Sequence, residues 1–230
     1  SGRDSAGTQG TIDDAGDASS DGGPTSLTST LARFPCDTLR AAEGKPPIEA
    51  PLVGLPEITV ATEADLRAMH SNARYVFTND ITVTSAWTPI QLSTVHIDGR
   101  GHTIRGIDIS STSGSDRLGL FSALYDSIIK NLTVDGVIFR VATPSNGLVR
   151  WAAGLVGELS DVCAYDVHAK NVDASRVVVN LGGLAARVGP GFTVVVRASG
   201  EVVAMGDPQQ SFVHVGGFAA QWSGGGGGCA

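Results

Sequence analysis

Positive charge is scarce. Sixteen Lys and Arg stand against 23 Asp and Glu, a net charge of −7 over 230 residues. Nucleic acid and anionic membrane surfaces both need clustered cations, so neither is an expected partner. Long apolar runs are missing too. None approaches the roughly 20 residues of a membrane span, so no transmembrane segment is expected. Only three cysteines occur, Cys36, Cys163 and Cys229, with no CxxC spacing and no clustered His. That argues against a zinc site. One disulfide with a spare thiol is allowed, and a small buried hydrophobe is the simpler reading of Cys163. Phosphate-cradling chemistry is absent as well, since Gly224 to Gly228 lacks a following Lys-Ser/Thr. No cofactor and no metal are expected. No signal peptide opens the chain. It begins at Ser1 rather than Met, so a missing leader says nothing of the cytoplasm.

What is present is β-forming. Lys, Glu and Leu are thin in the second half, where Val, Ile, Thr, Ser and Gly dominate. Thirty glycines are about twice the usual share of roughly 7%. The composition predicts an all-β, turn-dense chain. Residues 1–30 are Gly, Ser, Asp and Thr with almost nothing to bury, and read as a disordered acidic tether. Residues 31–57 read as an extended connecting segment, kept open by Pro46, Pro47, Pro51 and Pro56. One helix is legible at about 63–70. Thr62-Glu63-Ala64-Asp65 resembles a capping box with Asp at its fourth position, and Leu66 and Met69 follow at helical spacing.

From Val95 onward the pattern repeats. Val95 to Ile109 reads as two short strands hinged on Asp98-Gly99-Arg100-Gly101. Anchors then recur at Gly119-Leu120-Phe121, Gly154-Leu155-Val156, Gly183-Leu184-Ala185 and Gly217-Phe218-Ala219, each followed by β-rich runs. Units of about 30–35 residues with short strands and no helix between them point to a solenoid, and are too short for propeller blades. A parallel β-helix over residues 58–230 fits best, each unit stacking on the last. Its glycines should sit where φ is positive or packing is tight, and the helix near Glu63 is the natural cap.

The order of these pieces resembles the GLUG-motif repeat proteins of bacterial surfaces. The residues that carry the resemblance are the capped helix at Thr62 to Met69, Asp80-Ile81, Trp87-Thr88-Pro89-Ile90, Asp98-Gly99-Arg100-Gly101-His102-Thr103-Ile104, the Gly-Leu anchors, and Ile129-Lys130-Asn131-Leu132. The resemblance implies a right-handed parallel β-helix that is extracellular or on the cell surface. It covers roughly residues 57–230. Gln91 departs from the glycine usual at its place, and Asp166 replaces the asparagine at 131.

Candidate chemistry is sparse. Asp98 and His102 read as turn residues serving backbone hydrogen bonds rather than as an acid and a base. Asp166 and His168 share a face without an evident third partner. Asp108, Asp126, Asp135 and Asp173 are irregularly spaced, with no Lys or Arg at matched positions, so a polysaccharide-active lyase or hydrolase is the alternative only; it would require them and Asp98 to share one face. A phage or toxin receptor-binding shaft is a third. Asn131-Leu132-Thr133 matches a glycosylation sequon, but reads as a stacked asparagine. Trp87, Pro89, Asp98, Gly99, Gly101, Gly119, Gly154, Gly183 and Gly217 are assigned to turns and repeats. Trp151, Trp222 and Cys229 are candidates for ligand or subunit contact. The expected function is a non-enzymatic structural or adhesive module, binding a glycan or surface ligand or itself. Because Gly224 to Ala230 show no cap, self-assembly into a filament through the last coil is part of that expectation.

Overall fold

The computed structural model describes residues 40–42, 44, 45, 48, 52, 54–110, 116–140, 150–174, 179–189, 193–203, 214–216 and 219–222. The chain divides into Ser1–Phe34 and Pro35–Ala230, and every described residue belongs to the second unit. The expected tether, Gly217, Gly224 to Gly228 and Cys229 lie outside the described residues, and Trp222 is described in its backbone only.

The described chain is all-β with parallel sheets. Its strands are β1 (Glu57–Val60), β2 (Ala73–Phe77), β3 (Ile81–Thr82), β4 (Ile90–Ser93), β5 (Val95–Asp98), β6 (Thr103–Ile109), β7 (Arg117–Leu118), β8 (Phe121–Phe139), β9 (Arg150–Ala153) and β10 (Val156–Asp173). They continue with β11 (Val179–Gly182), β12 (Ala185–Val188), β13 (Val194–Val203), β14 (His214–Gly216) and β15 (Ala219–Trp222). The larger sheet runs β1-β2-β5-β8-β10-β12-β15, and the smaller runs β14-β11-β9-β7. Among the described residues every strand pair is parallel.

The register carries the repeat. Phe121 pairs with Val156, Val156 with Ala185 and Ala185 with Ala219. These offsets of 35, 29 and 34 residues are those of the Gly-Leu anchors. The hinge at Asp98 to Gly101 separates β5 from β6, as the sequence pattern predicts.

The corners follow a rule that the sequence shows only in part. Ala73, Val95, Ser127 and Val162 begin equivalent runs. The residue before each, Asn72, Thr94, Asp126 and Asp161, has positive φ of 62°, 55°, 47° and 54°. A second file is Asn131 and Asp166 at 53° and 56°, and a third is Gly106, Gly136 and Asn171 at 75°, 77° and 52°. Asn and Asp tolerate left-handed backbone because their short polar side chains bond locally. Most corners are therefore Asx rather than Gly.

The anchor glycines serve packing instead. A Cβ on Gly154 would lie 2.7 Å from Val172 Cγ2, 2.8 Å from Ala169 Cβ and 2.9 Å from the Gly183 carbonyl oxygen. The Gly154 N–H itself donates to that Gly183 oxygen at 2.9 Å. The core is one continuous cluster from Val60 to Ala185, with Phe77, Trp87, Ile97, Ile129, Val134 and Leu159 buried in it.

Helix α1 (Glu63–Arg67) is shorter than predicted and ends on Ala68 as its C-cap. The capping box is complete: Asp65 N–H donates to Thr62 Oγ1, and Thr62 N–H donates to Asp65 Oδ2. Leu66 and Met69 reach the core. Glu63 accepts from the Thr84 and Ser85 hydroxyls, and Arg67 stands 4.8 Å over the Trp87 ring. These contacts hold the helix to residues 84–87.

The expected connecting segment is no simple spacer. Ile48 and Leu52 are buried in a second cluster against Ile128 and Cys163, on the outer face of β8 and β10. Arg40 is 3.6 Å from Asp161 in the same region. The upstream chain is therefore a strap lying across the sheet.

Gly154→Ala should lower stability by about 1–3 kcal/mol through overpacking. Gly54→Ala, whose new carbon meets nothing within 4 Å, should leave it unchanged. Urea unfolding of the two variants checks the contrast.

Candidate functional site

The aspartates flagged by sequence do not converge. Asp98 Oδ2 lies 3.2 Å from Lys130 Nζ, and Asp108 Oδ2 lies 2.8 Å from Arg140 Nε. Asp135 is 4.0 Å from Arg105 and accepts a 2.7 Å hydrogen bond from Asn171. Asp126 sits in a left-handed corner, and Asp173 pairs with Ile138 at the end of β10. For Asp108 and Asp135 the expectation that no Lys or Arg accompanies these acids is overturned, and Asp98 has a cation as well. Each cation belongs to a neighbouring unit about 30 residues away, so it is adjacent across the sheet and distant along the chain.

Asp98 and His102 go separate ways. Asp98 Oδ1 accepts from the Arg100 N–H at 3.0 Å and from Asn131 Nδ2 at 3.1 Å. The asparagine of the sequon is thus bonded between units. His102 Nδ1 lies 3.2 Å from Asp80 Oδ1, which also accepts from the Thr103 N–H at 3.0 Å. Gly99 lies where a Cβ would collide with the Asn131 carbonyl oxygen and Leu132, and Gly101 has φ of 83°.

Asp166 and His168 do have a third partner, contrary to expectation. His168 Nδ1 lies 2.8 Å from Ser199 Oγ, and Nε2 lies 3.5 Å from Asp166 Oδ1. Ser199 comes from β13 and is fully exposed, so the trio lies open to water on a sheet face.

Trp87 is a packed corner residue: it is buried, and its Nε1–H donates to the Leu120 carbonyl at 2.8 Å. Pro89 follows it, half-buried, before β4. Trp151 is half-buried, with the Arg187 guanidinium 5.7 Å over its ring. Beside it Glu158 is 5% exposed. Its Oε2 lies 2.9 Å from Arg117 Nε and 3.5 Å from Arg187 NH1. One buried carboxylate is thus neutralised by arginines from the units on both sides. That pairing gives Trp151 a structural setting which its sequence position does not reveal.

Cys163 is buried, as read, and is also disulfide-bonded, the bond the sequence leaves open. Cys36 and Cys229 both lie outside the described residues.

Where the structure does gather polar groups is the outer face of β1, β2, β5 and β8. Glu57, Arg74 and His96 form one cross-strand row. Asp98 and Lys130 pair in the row two residues further on. Together with Arg100 they line a cavity of about 80 Å³. The Nε2 atom of His96 is buried there without a hydrogen-bond partner. Burial first, then the charges of Lys130 and Arg74, pushes the imidazole down to about 4, so it is neutral at pH 7. Lys130 is raised, with Tyr165 and Asp98 outweighing its burial. His96 was not singled out by sequence, because its setting is made by strands 20 to 40 residues distant. Among the described residues no group of three His, Cys, Asp or Glu could hold a metal ion. Nor is any helix among them long and apolar enough to cross a membrane.

No protein family, curated protein or solved structure matches this chain.

Two predictions follow from these groups. Unfolded His titrates near 6.5 and native His96 near 4, so between those values the unfolded chain binds more protons. Stability should be full above the upper value and fall as pH drops toward the lower. His96→Gln should flatten that step in urea midpoints measured against pH. A second loss should follow in stronger acid. There Glu63, held near 2 chiefly by the Thr84 N–H, and Asp80, held near 2 chiefly by Arg105, take up protons. Separately, reducing the Cys163 disulfide should cost roughly 2–4 kcal/mol. Unfolding with and without dithiothreitol measures it.

Proposed function

We propose that this chain is a right-handed parallel β-helix of the GLUG-repeat kind. In this proposal it acts without catalysis as an extracellular or cell-surface contact module, and it associates with copies of itself. The observation that carries the proposal is the use made of charge. Asp98, Asp108, Asp135 and Glu158 each face a cation of a neighbouring unit. A catalytic face would gather such groups around a substrate, whereas here they bind unit to unit. The parallel register at offsets of 29 to 35 residues supports the solenoid, and right-handed crossovers are the rule for parallel strands. The disulfide at Cys163 supports an oxidising compartment.

Self-association rests on the sheet edges. Among the described residues β1 pairs only with β2, β15 only with β12 and β14 only with β11. Edges that carry no further strand among the described residues offer a head-to-tail contact, which does not close and so extends. The expected outcome is concentration-dependent growth into linear particles. Sedimentation velocity and negative-stain microscopy would read it. A monomer that persists at every concentration overturns the self-association.

A further inference from the structure

We propose that the cavity at His96 is a binding site for a small carboxylate group, held by Arg74, Arg100, Lys130 and the buried Nε2 of His96. Size sets the class of ligand. The cavity measures about 80 Å³. One water needs roughly 10–15 Å³, so the space has room for a small end group such as a carboxylate.

Charge sets the sign. Arg74, Arg100 and Lys130 face only two acids, Glu57 and Asp98. Those acids are already matched, Glu57 to Arg74 at 3.5 Å and Asp98 to Lys130 at 3.2 Å. Both oxygens of Asp98 are in use, Oδ1 by the Arg100 N–H and Asn131 and Oδ2 by Lys130. Arg100 is exposed at the rim and makes no ion pair among the described residues. One monovalent anion balances the set.

His96 lines the cavity. Its Nε2 is buried without a partner, and a small side-chain shift that let a ligand oxygen accept from Nε2–H would recover that cost. Arginine adds a planar fork matched to a carboxylate. The cavity opens on the outer sheet face, and its Glu57 wall belongs to β1, the edge strand of the self-association proposed above, so the titration is run on dilute protein whose sedimentation is monomeric.

The test follows the His96 imidazole signals of the isotope-labelled full chain by NMR during titration with sodium acetate. Sodium chloride at matched ionic strength and sodium phosphate are the comparison arms. A saturable shift with a Kd of about 1–10 mM is expected for acetate. Arg100→Gln, at an exposed turn where folding is undisturbed, should weaken it roughly tenfold. Three results would overturn the proposal. One is a non-saturating or chloride-equivalent response. Another is tighter binding of phosphate than acetate. The last is wild-type affinity in Arg100→Gln with a native amide spectrum.

Discussion

A left-handed backbone residue at each corner is the constraint on which this structure depends. Asn72, Thr94, Asp126 and Asp161 bend the chain at equivalent positions in four successive units. Because each corner stands over the last, the runs that follow start in register. Val95 then lies on Ala73, and Val162 on Ser127. A single shift at a corner would turn every following side chain to the opposite face. Ser127, buried just after its corner, shows the precision involved, since its hydroxyl accepts from the Val95 N–H of the preceding unit.

Register then decides where energy is stored. Inward rows bring Ile97, Ile129 and Ala164 into one column, and Ile104 and Val134 into another. Outward rows place acids against cations. Asp98 meets Lys130, and Lys130 in turn lies 5.9 Å from the Tyr165 ring. Exposed pairs of this kind are each worth little. Glu158 is the exception, being buried between Arg117 and Arg187. Removing both arginines would leave its charge stranded in a dry place.

Local signals were legible in the sequence, and relations between units were not. The capping box and the hinge at Asp98 to Gly101 depend on residues close together in the chain, and the anchor spacing on a short motif that recurs. Their elements appear where the pattern puts them, although α1 stops at Arg67. The partners of Asp98, Asp108 and Glu158 lie about 30 residues away, beyond the reach of helical or strand periodicity. Thr94 carries no mark of a left-handed corner, because threonine rarely adopts one. His96 carries no local mark in the sequence. Its cavity exists only when β1, β2 and β8 are laid beside β5. The strap was missed for a similar reason. Its prolines describe an extended path, and nothing in them says what that path crosses.

The strap has a mechanical consequence. Sequence places residues 40–55 just before β1, at one end of the larger sheet. Ile48 and Leu52 grip Ile128 and Cys163, and Arg40 meets Asp161, two and three strands further along that sheet than β2. Tension on the upstream chain would therefore load the middle of the stack sideways. Shear of that kind must break many contacts at once, whereas a pull on β1 alone would peel it from β2 one hydrogen bond at a time.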